Sequence, residues 1–320
     1  MVRVVELDFS DFYYTPEHLS YIPEKKMGGA LRQVAPDDIN DFVAVLEKTY
    51  AGNRSYSVSY DGVVFRVERV STLTGIHYSA RRMPRKVPDF SRLGFPDPVA
   101  NHLFSLVNCG GLVLWSGATG MGKTTSISCL LRRYLETKGG FAYTIEDPPE
   151  MPLDGVYQAK NGGLGLCKQT ETIADADWGE ALRSALRSRP RYILVGEIRT
   201  PETASQVLRA ASSGHLVLST IHANSVEDAL NSVIKYAIAA GLNETLAADL
   251  LSRGVLAVLH QKLQGANSLR PEISFVFANP DPQQADQVRV IVRSGQIVLG
   301  TVMEAQTAKI FQGKSLFRTF

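Results

Sequence analysis

Cysteine is scarce in this chain: Cys109, Cys129 and Cys167 are the only three in 320 residues, and none forms a C-x-x-C pair. That pattern suggests neither a disulfide framework nor a zinc site, and the default is idle thiols in a reducing compartment. A strong charge of one sign is also missing. Lys and Arg number 34 against 32 Asp and Glu, a net +2, too balanced to point to nucleic acid as the main partner. No apolar run approaches the ~20 residues that a membrane span requires. The N-terminal stretch Val2-Arg-Val-Val-Glu-Leu-Asp8 carries charges where a signal peptide needs an apolar core. The expectation is a soluble cytoplasmic protein that can still dock on a membrane complex. No internal repeat or low-complexity tract is present. What remains, 44% hydrophobic and 21% charged, is ordinary globular composition with room for two domains.

The first stretch reads as a small α+β domain, residues 1–90. Val2 to Leu7 is strand-like, and Ile39, Phe42, Val43 and Leu46 mark a helix. Tyr56 to Tyr60, Asp61-Gly62 and Val63 to Val70 read as a hairpin, because Asp-Gly suits a type I′ turn. Ile76 to Ala80 is a further strand. Pro84, Pro88, Pro96 and Pro98 then lie among basic residues, and proline keeps such a stretch extended. The linker is placed at 91–98 and a C-terminal domain at 99–320. In that domain strands and helices alternate, which implies α/β architecture with a mostly parallel sheet. Thr200 with Pro201 reads as a helix start, and Ser225 to Asp228 as a capping box. The glycine-rich stretch Asn161 to Leu166 reads as a mobile loop.

The most informative segment is Gly117-Ala-Thr-Gly-Met-Gly-Lys-Thr124, which fits G-x-x-x-x-G-K-[ST]. The apolar run Leu112 to Trp115 precedes it, and a helical face of Ile127, Leu130, Leu131, Tyr134 and Leu135 follows. A strand, a glycine loop and a helix N-terminus gather backbone N–H groups around one point and make it an anion site. Gly117, Thr119, Gly120, Met121, Gly122 and Thr125 complete the candidate phosphate cradle. Lys123 would reach the β/γ-phosphates and Thr124 would hold Mg²⁺.

Polar groups also stand where apolar strands end, the edge at which open α/β sheets bind ligands. Glu197 follows Tyr192–Val195 and fits a Walker B acid near Mg²⁺, or else a surface glutamate paired with Arg199. Glu146 follows Phe141–Ile145, stiffened by Pro148 and Pro149, and is the candidate for polarising an attacking water. Asp147 suits either a turn cap or the site. His222 follows Leu216–Ile221 and is placed to sense a γ-phosphate, while His215, at the other end of that strand, suits a loop contact. Arg183 and Arg187 share a helix face, either solvated or facing a neighbouring subunit. Arg66 and Arg81 are candidate arginines for a γ-phosphate.

Together these segments resemble the type II/type IV secretion ATPases, especially their PilT-like branch. Four family motifs stand in order over roughly residues 55 to 280. They are the P-loop, the aspartate box Thr144-Ile-Glu-Asp-Pro-Pro-Glu150, the Walker B element Ile193-Leu-Val-Gly-Glu-Ile-Arg199, and the histidine box Gly214-His-Leu-Val-Leu-Ser-Thr-Ile-His222. Glu180 to Arg187, Phe65-Arg-Val67 and Arg81-Arg-Met-Pro84 also look like family sequence. The resemblance implies a PAS-like N-terminal domain, a RecA-like P-loop ATPase domain, ATP bound between them with help from N-terminal arginines, and a homohexameric motor. It implies partners in the inner-membrane platform of a pilus, secretion or conjugation machine, reached from the cytoplasm. Pilus-extension members carry a four-cysteine zinc motif that this chain lacks. Only Val288 to Gly295 approaches the retraction motif Ala-Ile-Arg-Asn-Leu-Ile-Arg-Glu, keeping two arginines, so a type IVB-like secretion or conjugation ATPase fits about as well as a retraction motor. The alternative from another class is a RecA-like NTPase acting on nucleic acid, which predicts a basic groove with interleaved aromatics.

Overall fold

The computed structural model describes residues 2–17, 19–23, 30–172, 178–265, 269–281 and 283–317. Two compact units emerge: Met1–Lys86 with Pro148–Pro152, and Val87–Asp147 with Leu153–Phe320.

The first unit is built on strands β1 (Asp11–Tyr14), β2 (Ser20–Pro23), β3 (Leu31–Val34), β4 (Ser55–Tyr60), β5 (Val63–Thr72) and β6 (Gly75–Arg82), with helix α1 (Ile39–Thr49). The strands pair in the order β3-β2-β1-β6-β5-β4, antiparallel throughout. Its core is aromatic. Phe42 of α1 meets Phe12 and Phe65 edge-on, with ring centres 5.7 and 5.1 Å apart, a favoured arrangement of ring quadrupoles. The expected Asp-Gly hairpin forms, with Asp61 at φ 48° and Gly62 at φ 72°, as a type I′ turn requires. Val2 to Leu7 is not a strand. Val4–Glu6 is a 3-10 turn, closed by the Glu6 carboxylate accepting from Arg3 N at 2.9 Å, with Val4 and Val5 buried. Strands β1 to β3 were not anticipated.

The second unit runs α2 (Asp97–Ser105), β7 (Gly111–Ser116), α3 (Lys123–Lys138), β8 (Gly140–Glu146), β9 (Gly155–Gln158), β10 (Leu164–Glu171), α4 (Trp178–Arg187), β11 (Tyr192–Val195), α5 (Pro201–Ser212), β12 (Leu216–Ile221), α6 (Val226–Ala239), α7 (Glu244–Gly254), β13 (Val255–Gln264), β14 (Arg270–Phe277), α8 (Gln287–Ser294) and α9 (Gly300–Phe311). Its eight strands lie in the order β14-β13-β7-β12-β11-β8-β10-β9. The six inner strands are parallel and both edge strands antiparallel. Strand β7 is buried along its whole length, as expected of a parallel strand covered on both faces. Leu112 and Leu114 join the large core that helices α4 to α7 complete. By alternation Val113 and Trp115 face the other side, where α3 packs. Helices α5 and α6 start as the sequence indicates: Thr200 Oγ1 accepts from Thr203 N at 3.2 Å and Ser225 Oγ from Asp228 N at 3.0 Å, caps worth about 1 kcal/mol each.

Residues 91–98 carry the end of a 3-10 turn, Phe90–Leu93, and the start of α2, with Phe90 and Phe95 buried. The glycine-rich stretch is no loose loop. It is the turn and second strand of the β9–β10 hairpin, and β10 joins the sheet parallel to β8. Packing is close there: a Cβ at Gly165 would sit 3.1 Å from Leu135 of α3.

Candidate functional site

Strand β7 hands the chain to α3 through residues 117–122. Gly117 has φ 145°, Gly120 φ 79° and Gly122 φ 75°, backbone that side chains of L-residues avoid. A Cβ at Gly117 would also overlap the carbonyl oxygen of Gln261 on β13. Ala118, Thr119 and Gly120 are exposed, while Thr124 and Thr125 are half-buried in the first turn of α3. Lys123 is 7% exposed, and its ammonium donates to the carbonyls of Gly117 at 2.8 Å and Ala118 at 2.9 Å. A positive charge is thus folded over a loop whose flanking helix offers free N–H groups.

The parallel register sets the neighbours. Ser116 of β7 pairs with Ile221 of β12, so Gly117 and His222 leave the sheet side by side. Val195 of β11 lies between Ser219 and Ile145. Pairing continues past it, with Ile198 N donating to Thr220 O at 2.8 Å and Thr220 Oγ1 to Gly196 O at 2.7 Å. Strand spacing of about 4.8 Å puts β11 about 10 Å and β8 about 14 Å across the sheet from β7. Glu197 and His222, named separately from the sequence, are in contact: Glu197 Oε1 lies 3.0 Å from His222 Nε2. Arg199 pairs with Asp147.

Glu146 is 2% exposed and its Oε1 accepts from Gln169 Nε2 at 2.8 Å. Gly196 makes room for it: a Cβ there would crowd Glu146 Cγ at 3.3 Å. The glycine before Glu197 therefore serves the neighbouring carboxylate. The same buried environment pushes the Cys167 thiol well above its usual range, helped by the charges of Glu146 and Asp154.

Among the described residues no group of three His, Cys, Asp or Glu could hold a metal ion. Mg²⁺ needs no such cluster, since it usually takes one or two protein oxygens beside phosphate oxygens and water. Arg66 and Arg81 belong to the first unit, directly opposite one another on β5 and β6. Glu150 lies 3.7 Å from Arg66 and Asp11 2.8 Å from Arg81, which offsets the repulsion of facing like charges. Arg183 meets Glu202 of its own chain at 3.5 Å. His215 contacts Ser213 Oγ at 3.3 Å, and burial lowers its pKa. Within 288–295, Arg289 is structural: its buried guanidinium donates to the carbonyls of Ser252, Arg253 and Asn279.

Sequence reasoning missed β13 and with it Gln261, whose side chain bonds Trp115, Ser126 and Met121. Met121, expected at the phosphates, also turns its sulfur to Leu263 N at 3.4 Å. The rule that found Glu146 and Glu197 does not single out Gln261, because His260 is the first polar residue after the apolar run Val255 to Leu259.

Comparison with known proteins decides the lineage. Residues 51–309 match the family described as Type II/IV secretion system protein. The chain belongs to that family. Among relatives of this secretion family, the Type IV pilus assembly ATPase PilB of Acinetobacter baylyi is 30% identical over 277 residues, 79% of this chain and 46% of the relative. The Type IV pilus retractation ATPase PilT of Pseudomonas aeruginosa is 35% identical over 212 residues, 65% of this chain and 58% of the relative. The chain thus spans about half the length of the curated relatives it matches. In fold it is similar to the pilus retraction motor PilT solved with bound ADP, at TM-score 0.71 and 24% identity, covering 99% of this chain and 91% of the other. It is also similar to the Legionella pneumophila ATPase DotB, at TM-score 0.64 and 18% identity, covering 94% and 92%. The likeness agrees with a RecA-like second unit. Among the described residues no helix is long and apolar enough to cross a membrane.

Proposed function

We propose that this secretion-family chain is an ATPase that works as a ring-shaped homohexameric motor, driving a type IV pilus or a type IV secretion or conjugation machine. The observation carrying this reading is the shared sheet edge: the phosphate loop, the Glu197–His222 pair and buried Glu146 all leave strands that are neighbours in one parallel sheet.

In this reading the loop N–H groups and Lys123 bind the phosphates of ATP. Thr124 and Glu197 would hold Mg²⁺, which supplies charge neutralisation at the β- and γ-phosphates. Glu146, shielded from solvent and oriented by Gln169, takes the proton of the attacking water. His222, tied to Glu197, responds to the γ-phosphate. Arg66 and Arg81 remain the candidate arginines for the γ-phosphate. The motor acts in the cytoplasm, held to the inner membrane by platform proteins of the machine it serves.

The purified chain given ATP and Mg²⁺ is expected to release phosphate, and to scatter light as a particle of about six times its 35.0 kDa mass. Lys123→Ala should abolish turnover and weaken nucleotide binding with the fold retained. Phosphate release by Lys123→Ala near the wild-type rate would overturn the assignment. A strict monomer at high protein concentration would overturn the ring.

A further inference from the structure

Gln261 stands in strand β13 with 2% of its surface exposed, after the wholly buried apolar run Val255 to Leu259. Packing alone would favour a methionine or leucine there. A buried primary amide is costly unless its hydrogen bonds are made. Here they are made, and all lead to the phosphate loop or its flanks. Oε1 accepts from Trp115 Nε1 at 3.0 Å, on the strand entering the loop. It also accepts from Ser126 Oγ at 2.9 Å, in the first turn of the helix leaving it. Nε2 donates to the carbonyl of Met121 at 2.6 Å, within the loop itself. The indole can only donate and the carbonyl can only accept, so the amide is locked in one orientation. Gly117 lies against the Gln261 backbone carbonyl, and a Cβ on Gly122 would sit 3.1 Å from Nε2. One residue thus touches the strand before the loop, both ends of the loop, and the helix after it.

We propose that Gln261 is a positioning residue of the nucleotide site. It holds the loop's N–H groups at the spacing phosphates need, acting through Met121 and Ser126 without touching the nucleotide. The inference rests on the reading of this loop as the ATP site. It also makes Trp115 a reporter, because loop movement reaches the indole N–H through the same amide.

The test compares Gln261→Met, which keeps the volume and loses every bond, with Gln261→Glu, which keeps both acceptor roles and cannot donate to Met121. ADP affinity is measured by calorimetry on the full chain. Trp115 emission is followed in a Trp178→Phe background, and unliganded stability by thermal unfolding. Net losses of about 1 kcal/mol per hydrogen bond predict ADP binding weaker by a few-fold in Gln261→Glu, which loses one bond, and by up to about a hundredfold in Gln261→Met, which loses three. ADP should shift Trp115 emission in the Gln261 protein and leave it unmoved in Gln261→Met. Should Gln261→Met fail to fold, Ser126→Ala loosens the same amide and is expected to weaken ADP binding about threefold. Wild-type ADP affinity in these variants overturns the proposal. So does an affinity loss that only tracks unliganded unfolding, with the emission shift retained. Lys123→Ala run alongside separates the two readings: undiminished ADP binding in that variant would remove the nucleotide site itself, while weakened binding there and wild-type binding in Gln261→Met would remove the role of Gln261 alone.

Discussion

Gly117→Ala tests whether the loop is held by β13 or merely shaped by its own glycines. Two costs act at this position. At φ 145° an alanine backbone costs about 1–3 kcal/mol. Its methyl would also overlap the Gln261 carbonyl oxygen, a backbone atom that no rotamer change can move, and overpacking of that kind costs about 1–3 kcal/mol more. The sum, about 2–6 kcal/mol, is a large part of the roughly 5–15 kcal/mol that holds a domain folded. Gly120→Ala is the control. Its φ of 79° is also left-handed, yet no atom lies within 4 Å of the added carbon, so only a conformational cost of about 1–2 kcal/mol applies. Thermal unfolding of the unliganded protein should therefore lower the second unit's transition by at least about 4 °C in Gly117→Ala, with a smaller shift in Gly120→Ala. Equal shifts in the two variants would show that the contact with β13 contributes nothing. A Gly117→Ala protein as stable as wild type would refute both terms.

Two further expectations concern carboxylates and a histidine. Glu146→Gln should bind ATP normally and hydrolyse it about 10²–10⁴-fold more slowly in single turnover, the usual share of a positioned base, whereas Glu197→Gln should also weaken Mg²⁺-dependent binding; normal hydrolysis by Glu146→Gln would leave Glu197 as the remaining candidate. Burial lowers the pKa of His102 from 6.5 to about 4, so the unfolded chain takes up a proton below pH 6.5 that the folded chain refuses until about pH 4. Stability should fall by up to about 3 kcal/mol across that window as the pH drops, and His102→Gln should flatten this slope in denaturant melts recorded from pH 7 to pH 4.

Four strands of the parallel core were legible because each is an apolar run that ends beside a polar residue. Leu112 to Trp115, Phe141 to Ile145, Tyr192 to Val195 and Leu216 to Ile221 all form as read. Their shared direction then brought Gly117, Glu146, Glu197 and His222 to one edge without knowledge of any contact. Contacts were less legible. Glu197 and Arg199 stand two apart, which in a strand would put them on one side. The regular strand ends at Val195, so the two-residue period no longer governs Glu197 and Arg199 and each finds a different partner. Strands β1, β2 and β3 have only four residues each, too few for an alternation to show. The β9–β10 hairpin was hidden by its glycines, of which Gly165 packs closely on Leu135. Gln261 was invisible for another reason: its indole partner is 146 positions earlier in the chain, and no local pattern encodes such a meeting.

That separation orders the life of the molecule during synthesis. The whole phosphate motif leaves the ribosome with Thr124, yet the strand that braces it is completed only with Gln264. Contacts so remote form after local ones, because the intervening chain must first be closed into a loop. Nascent chains that end before β13 carry every motif residue and lack the strand whose Gln261 bonds the loop. Once β13 is inserted, ligand binds the folded state alone and stabilises it by mass action. On the proposed reading of this loop as the nucleotide site, competence to bind and completion of the fold arrive together.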